Sequence, residues 1–349
     1  MVRFYILRRI IVAIALFFLI QIIWYYREVV NLKQKKQDLE DMIYLLEKKH
    51  QNTSLQIRDL EMQKTRIENE MKFSEARFRN YKLLMKNAKD VKIIFITPTY
   101  KKLTQKADLV RLKQTLINVN NLLWIVIEDS DVKSLEIEKF LNDSKIAFVH
   151  LCIKTPNNKK LKDKDPSWLL PKGVLQRNEA LKWIRINWAG RRNAIVYFGD
   201  DDNTYDLKLF NEIRKIRKIG IWPVGIVGGL LAEGPLISPE SMKIVGFNSI
   251  WKPERSFPID MASFAFNISL LHDNPNAAFS YDVPRGYQES HFLSTMNIKL
   301  DDLEPGADMC KKVLVWHTRT EKVEVNKNDK FKFESGYGLN ECEKSAVFL

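Results

Sequence analysis

The sequence predicts an α/β domain built on a mainly parallel, Rossmann-like sheet and carried behind a membrane-spanning helix and a helical stem. Three observations support that expectation. Residues 10–26 contain no charged side chain, and residues 27–90 contain no proline or glycine. Beyond Asp90, short apolar runs alternate with longer stretches of helical period, the pattern of strand-helix units.

Residues 1–9, with Arg3, Arg8 and Arg9, are expected to form a short cytosolic tail. From Ile10 to Tyr26 the only strongly polar residue is Gln21, and Phe4 to Leu7 extend the apolar stretch. At about 1.5 Å of rise per residue this run crosses a hydrocarbon core of roughly 30 Å. Trp24, Tyr25 and Tyr26 suit an interfacial aromatic belt. A cleaved signal peptide is the competing reading, but such peptides end in small residues, whereas this run ends in bulky aromatics. Arg27, Lys33, Lys35 and Lys36 balance the amino-terminal arginines, so charge leaves the orientation open. The very short tail favours a type II anchor with the bulk of the chain in the lumen, a placement that sequons at Asn52, Asn142 and Asn267 would suit.

The stem, residues 27–90, places Leu39, Ile43, Leu46, Ile57, Leu60, Ile67 and Met71 on a 3-4 alternation, the seam of a coiled coil. His50, Thr53 and Lys64 fall on the same seam and weaken it, which predicts a parallel homodimer of modest stability. A basic helix that binds nucleic acid is the alternative; the adjacent anchor argues against it, and no nucleic-acid partner is expected.

Residues 91–349 are expected to form the α/β domain. Its first strand is Val91 to Ile96, ending at Thr97-Pro98-Thr99-Tyr100, and a helix follows from Lys106 to Val119. The strand Leu122 to Ile127 ends in Glu128-Asp129-Ser130, and Ala147 to Cys152 forms a third strand before a lysine-rich loop. A helix from Val174 to Asn187 leads to the strand Ala194 to Phe198, which delivers Gly199 and the run Asp200-Asp201-Asp202. Ligands of open α/β sheets bind beyond the carboxyl ends of the strands, so Tyr100, Asp129 and Asp202 should converge on one edge.

Adjacent carboxylates repel one another unless a cation neutralises them, and oxygen ligands select Mg²⁺ or Mn²⁺, ions that commonly bridge carboxylates to phosphates. The run can also be read as a solvated turn, with Asp206 capping the next helix. The net charge of +13 suits an anionic substrate, a membrane surface or nucleic acid without choosing among them. No phosphate-binding Gly-x-x-x-x-Gly-Lys loop or dinucleotide fingerprint is present, and neither the five histidines nor the three cysteines have zinc-binding spacing. Phosphate must therefore be held by a metal and basic side chains. Lys172 and Arg177 flank a helix start, while His317 and Arg319 share one side if Leu314 to Thr320 is a strand. Arg177 reads equally as a surface helix charge, and the other pair as an exposed strand face. Downstream lie Glu233, Arg255, Asp260 and Glu289; one carboxylate would serve as general base, and spacing does not say which. Trp251 reads as a stacking platform for a sugar or as a core residue.

Several segments together resemble the β-1,3-glucuronyltransferase family: Thr97-Pro98-Thr99-Tyr100; Val196-Tyr197-Phe198 with Asp200 to Tyr205; Trp222-Pro223-Val224-Gly225 with Val227-Gly228-Gly229; Asp302-Leu303-Glu304-Pro305; and Val315 to Lys322. The resemblance covers about Lys92 to Lys322. It implies a GT-A fold, a Golgi type II dimer, Mn²⁺ dependence, and inverting transfer of glucuronate from UDP-glucuronate to the 3-hydroxyl of a terminal galactose on a glycan acceptor. By the same resemblance Asp202 is the metal ligand, with Asp200 and Asp201 near the ribose and diphosphate. Tyr100 and Asp129 hold the uracil, and Lys172, Arg177, His317 and Arg319 meet the rest of the donor. Glu289 is the general base, and Glu233, Trp251, Arg255 and Asp260 receive the acceptor. Four positions depart from the family: Lys172 replaces an arginine, Gly199 a common alanine, and Leu231-Ala232 a more polar pair. Trp251 is closer to enzymes that act on galactosyl-galactosyl-xylose, Gly286-Tyr287-Gln288-Glu289 to those that cap N-acetyllactosamine. A transferase of another UDP-sugar and a catalytically silent Golgi scaffold are the alternative functions.

Overall fold

Uninterrupted helix formers such as Leu, Lys, Glu and Gln make residues 2–86 one helix, α1 (Val2–Lys86). The exposed pairs Lys36–Glu40 at 3.6 Å and Lys64–Glu68 at 3.9 Å are spaced i,i+4 along it. The computed structural model describes residues 2–86, 91–160, 169–321 and 323–347, so residues 87–90 of the expected stem and Lys322 lie outside the described residues. Residues 1–75 form one unit and 76–349 a second. Among the described residues α1 is the one helix long and apolar enough to cross a membrane. Its row Leu39, Ile43, Leu46, Ile57, Leu60, Ile67 and Met71 is exposed.

In the second unit the strands are β1 (Lys92–Thr99), β2 (Leu122–Glu128), β3 (Ala147–Cys152), β4 (Ala194–Phe198), β5 (Thr204–Tyr205), β6 (Ile219–Ile221), β7 (Val224–Val227), β8 (Leu230–Ile237), β9 (Ile244–Asn248), β10 (Phe264–Asn267), β11 (Leu303–Pro305) and β12 (Val315–Trp316). The helices are α2 (Gln105–Leu116), α3 (Leu135–Asn142), α4 (Val174–Asn187), α5 (Leu207–Lys215), α6 (Ile268–Asp273), α7 (Gln288–Thr295), α9 (Lys327–Ser335) and α10 (Glu341–Val347), while α8 (Gly306–Cys310) is a short turn whose residues Ala307, Asp308 and Met309 are left-handed. A seven-stranded sheet has the order β11-β6-β10-β4-β1-β2-β3, and a five-stranded one the order β5-β12-β7-β8-β9. Within the larger sheet β10 alone runs antiparallel to its neighbours. Along β1, Ile94 and Ile96 enter one core cluster while Ile93 and Phe95 enter the other, as the two-residue period of a strand requires.

Three elements differ from expectation by more than one residue. The first strand continues past Ile96 to Thr99. Pro98 costs no ladder bond there: it faces the β4 side, where pairing has ended at Ile96↔Phe198. Helix α2 stops at Leu116, three residues before Val119. The expected strand Leu314 to Thr320 shrinks to Val315–Trp316. Beyond Trp316 the hydroxyls of Thr318 and Thr320 bond to Asp202 O and to Asp108 Oδ1, which removes the regular ladder.

After β3 the chain crosses to β4 on the other side of β1, so β1 and β4 flank the point where strand order reverses. The crevice beyond their carboxyl ends is where such sheets bind ligands.

Candidate active site

Strand β4 carries the acidic run into that crevice, and its three carboxylates have different surroundings. Asp201 is buried, with Oδ2 accepting from Thr99 Oγ1 at 2.9 Å and Oδ1 from Lys102 Nζ at 2.8 Å. Burial pushes its carboxyl up to about 6 against the opposing pull of Lys102 and Thr99. Asp200 pairs with Arg177 Nη2 at 2.7 Å. For Asp202 the anchoring is through the backbone: its carbonyl accepts from Thr318 Oγ1 at 2.6 Å and Arg111 Nη2 at 3.2 Å. Among the described residues no side chain donates to its carboxylate. Burial raises that carboxyl, Lys102 offsets part of the rise, and Asp200 and Asp108 add to it. A half-buried carboxylate that no side chain satisfies is the environment a divalent cation relieves, so Asp202 is the residue here that could hold one, as a single protein ligand, since no group of three or more His, Cys, Asp or Glu suited to a metal lies among the described residues. Asp206 caps α5 through Lys208 N at 2.8 Å, so the capping feature and the acidic site coexist.

The expected donor residues gather around this run. Tyr100 is exposed at the end of β1, with Lys102 Nζ 5.4 Å and Lys172 Nζ 5.7 Å from its ring centroid. Asp129 Oδ1 accepts from Thr155 N at 2.7 Å. Arg177 is no surface charge: it is buried, it donates to Asp200 and to Lys172 O at 2.9 Å, and among the described residues its Nε has no partner. Gly173 makes room for it, because φ is +72° and a Cβ there would stand 2.6 Å from Arg177 Nη1. His317 and Arg319 do share a side, with Arg319 Nε 3.4 Å from His317 Nε2.

His317 links the donor and acceptor candidates. Its Nδ1 lies 3.2 Å from Asp260 Oδ2, an ion-pair contact in which the N–H points off the line to the oxygen. The Asp260 carboxylate raises His317 despite burial; burial raises Asp260 in turn, and His317 outweighs this to leave Asp260 below the usual carboxylate value. Glu289, in the first turn of α7, is pushed up to about 7 by burial and by the charge of Asp260, while Arg255 and Arg177 pull the other way. Glu233 is buried and raised by that burial, and its Oε2 accepts from Ser249 Oγ at 2.8 Å. Trp251 is 40% exposed with Arg285 over its ring at 4.6 Å, which excludes the core reading. Gly286 has φ +82°, and a Cβ there would stand 2.7 Å from the indole nitrogen. Arg255 ties its own loop to a second one: Nε and Nη2 donate to the carbonyls of Lys252 at 3.2 Å and Trp251 at 3.1 Å, and Nη1 to that of Gly286 at 2.6 Å. Its Nη1 is 3.9 Å from Glu289 Oε2.

The family model for glycosyltransferase family 43 matches residues 112–321. The chain is 45% identical over 341 residues to the Caenorhabditis elegans galactosylgalactosylxylosylprotein 3-beta-glucuronosyltransferase sqv-8, covering 97% of this chain and 96% of that one. The chain belongs to glycosyltransferase family 43. Other relatives of this family 43 chain are the Drosophila melanogaster galactosylgalactosylxylosylprotein 3-beta-glucuronosyltransferase I, at 47% over 67% of this chain and 77% of the relative, and the human galactosylgalactosylxylosylprotein 3-beta-glucuronosyltransferase 3, at 45% over 68% and 73%. One departure has a steric reason: a Cβ at Gly199 would fall within the ring of Phe95. Sequence reasoning about this family 43 glycosyltransferase missed Thr99, Lys102, Asp108, Arg111, Ser249 and Thr318, which hold the acidic run and Glu233. On their own elements they read as ordinary polar residues, and only the tertiary fold brings them to the site.

Proposed function

We propose that the protein is an inverting β-1,3-glucuronosyltransferase of GT-A architecture that transfers glucuronate from UDP-glucuronate to the 3-hydroxyl of the terminal galactose on a galactosyl-galactosyl-xylosyl protein. The names of the relatives support donor and acceptor. The observation that carries the chemistry is Glu289, a largely buried carboxylate at about 7 next to Asp260 and Arg255. A base at that value is ionised in about half the molecules at neutral pH and still accepts a proton readily. Glu289 takes the proton of the acceptor hydroxyl, the freed oxygen forms the bond to the anomeric carbon, and the bond from that carbon to UDP breaks on the opposite face. Tyr100 and Asp129 hold the base of the nucleotide; His317 and Arg319 supply positive charge to the departing diphosphate. Glu233 and Asp260 bind galactose hydroxyls, Trp251 stacks on the sugar, and Arg255 keeps the Trp251 loop against Gly286. Asp202 would hold Mn²⁺, which when bound neutralises diphosphate charge. This acceptor and the apolar start of α1 support a Golgi membrane location with a lumenal catalytic domain.

Full-length protein purified in detergent with Mn²⁺ should transfer glucuronate to a galactosyl-galactosyl-xylose acceptor and prefer UDP-glucuronate over other UDP-sugars in competition. Absence of transfer to any galactose-terminated acceptor, from protein that binds UDP, refutes the proposal. Asp202→Asn should abolish metal-dependent UDP binding.

A further inference from the structure

A second buried carboxylate, Asp108 in the first turn of α2, lies behind the acidic run and takes part in none of the steps above. Its side chain is 1% exposed. Oδ2 accepts from Lys102 Nζ at 3.0 Å and Thr104 Oγ1 at 3.0 Å, while Oδ1 accepts from Arg111 Nη2 at 3.1 Å and from Thr320 Oγ1. Three of those partners, Lys102, Arg111 and Thr320, reach the site. Lys102 also binds Asp201, Arg111 Nη2 also donates to the carbonyl of Asp202, and Thr320 follows His317 and Arg319 in the chain. The end of β1, the start of α2, the acidic run after β4 and the segment after β12 thus meet at one carboxylate.

We infer that Asp108 is a positioning residue that fixes the metal-ligating run and the His317–Thr320 segment relative to each other and balances the cations behind the metal. The charges show why the second role matters. Lys102 and Arg111 bring two positive charges, and Asp108 and Asp201 two negative ones. Asp200 is matched by Arg177. That leaves Asp202 without an ion-pair partner among the described residues, with Lys102 and His317 acting on it only through space, and so available to a divalent cation. With Asp108 made neutral, the same cluster carries one extra positive charge beside the metal position and disfavours the ion directly. Groups that orient metal ligands from behind change metal affinity by roughly 10–100-fold when altered.

The inference rests on the metal–nucleotide reading of Asp202, and one experiment separates the two. Mn²⁺ affinity is measured by paramagnetic resonance on full-length wild type, Asp108→Asn and Asp108→Glu, with UDP binding by calorimetry and kcat and KM for UDP-glucuronate alongside. Asp108→Asn should weaken Mn²⁺ binding at least about tenfold and raise KM more than it lowers kcat, and Asp108→Glu, which keeps the charge, should recover most of the loss. If Asp108→Asn does not fold, Thr320→Val, which removes one donor and leaves the carboxylate, should still raise KM for UDP-glucuronate. Wild type that binds neither Mn²⁺ nor UDP overturns the metal–nucleotide reading and this inference with it. Wild-type affinity in Asp108→Asn, or wild-type KM in Thr320→Val where only that variant folds, overturns the role of Asp108 alone.

Discussion

The titration of two side chains sets the pH response of the site. Glu289 must be ionised to accept a proton, and its carboxyl stands at about 7. kcat/KM should therefore rise as pH increases through about 7, with Glu289→Gln losing both that limb and roughly 10²–10⁴-fold in rate. His317 is cationic only below its own raised value, so the rate should fall again as pH rises through it. A bell-shaped profile in wild type whose alkaline limb disappears in His317→Asn is the expected result; a flat profile contradicts both assignments. The aspartate run stands out in the sequence as a contiguous acidic motif at a strand end, whereas Glu289 is singled out only by the family resemblance, because spacing does not say which carboxylate is the base. The work of Arg255 was not legible: its motif suggests a ligand contact, whereas its nitrogens go to three carbonyls, one of them Gly286, 31 residues away. Nor did the run itself reveal that Asp201 turns inward to Thr99 and Lys102 while, among the described residues, no side chain donates to the Asp202 carboxylate.

At the scale of elements, β3, α4 and β4 match their expected limits. Strands buried on both faces read as continuous apolar runs bounded by polar residues. The segment after Val315 failed that test because its threonine hydroxyls, which suit a strand in isolation, bond across to α2 and to the acidic run after β4 instead. Another polar contact joins β2, β3 and α3: the buried His150 Nδ1 is 2.7 Å from Glu138 Oε2, and its Nε2 contacts Glu128 Oε1. Glu128 also accepts from Ser134 N at 2.9 Å, so this contact supports the turn that carries Asp129. Burial opposes the charge on His150, but the two carboxylates outweigh it and its value is raised. A group raised in the folded state stabilises fully below its unfolded value of about 6.5 and loses that contribution as pH rises through the folded one. His150→Ala leaves both carboxylates buried without their shared partner, a loss of about 3–5 kcal/mol. Urea unfolding at pH 6 and pH 9 should show the gap between wild type and variant shrinking at the higher pH; a gap that widens would contradict the charged state of His150.

For the molecule as a whole, the open question is what covers the apolar row on α1. Leu39, Ile43, Leu46, Ile57 and Leu60 are each 53–63% exposed, and an isolated helix keeps that surface in water. Two copies that pair along the 3-4 seam would bury it as knobs in holes, with His50, Thr53 and Lys64 as weak layers. Hydrophobicity alone does not identify the seam, because Met62, 60% exposed and two residues from Leu60, is apolar and off it. The two residues therefore discriminate. If the stem is a coiled coil, protein lacking residues 1–26 should sediment as a dimer that persists on dilution, and protein lacking residues 1–90 should dissociate more readily. Leu60→Asp places a charge in the seam and should shift the first protein toward monomer. Met62→Asp places the same charge on the solvated flank and should leave its sedimentation unchanged. Equal loss of dimer in both variants would mean that the helix associates through general stickiness rather than through the register that its sequence spells out.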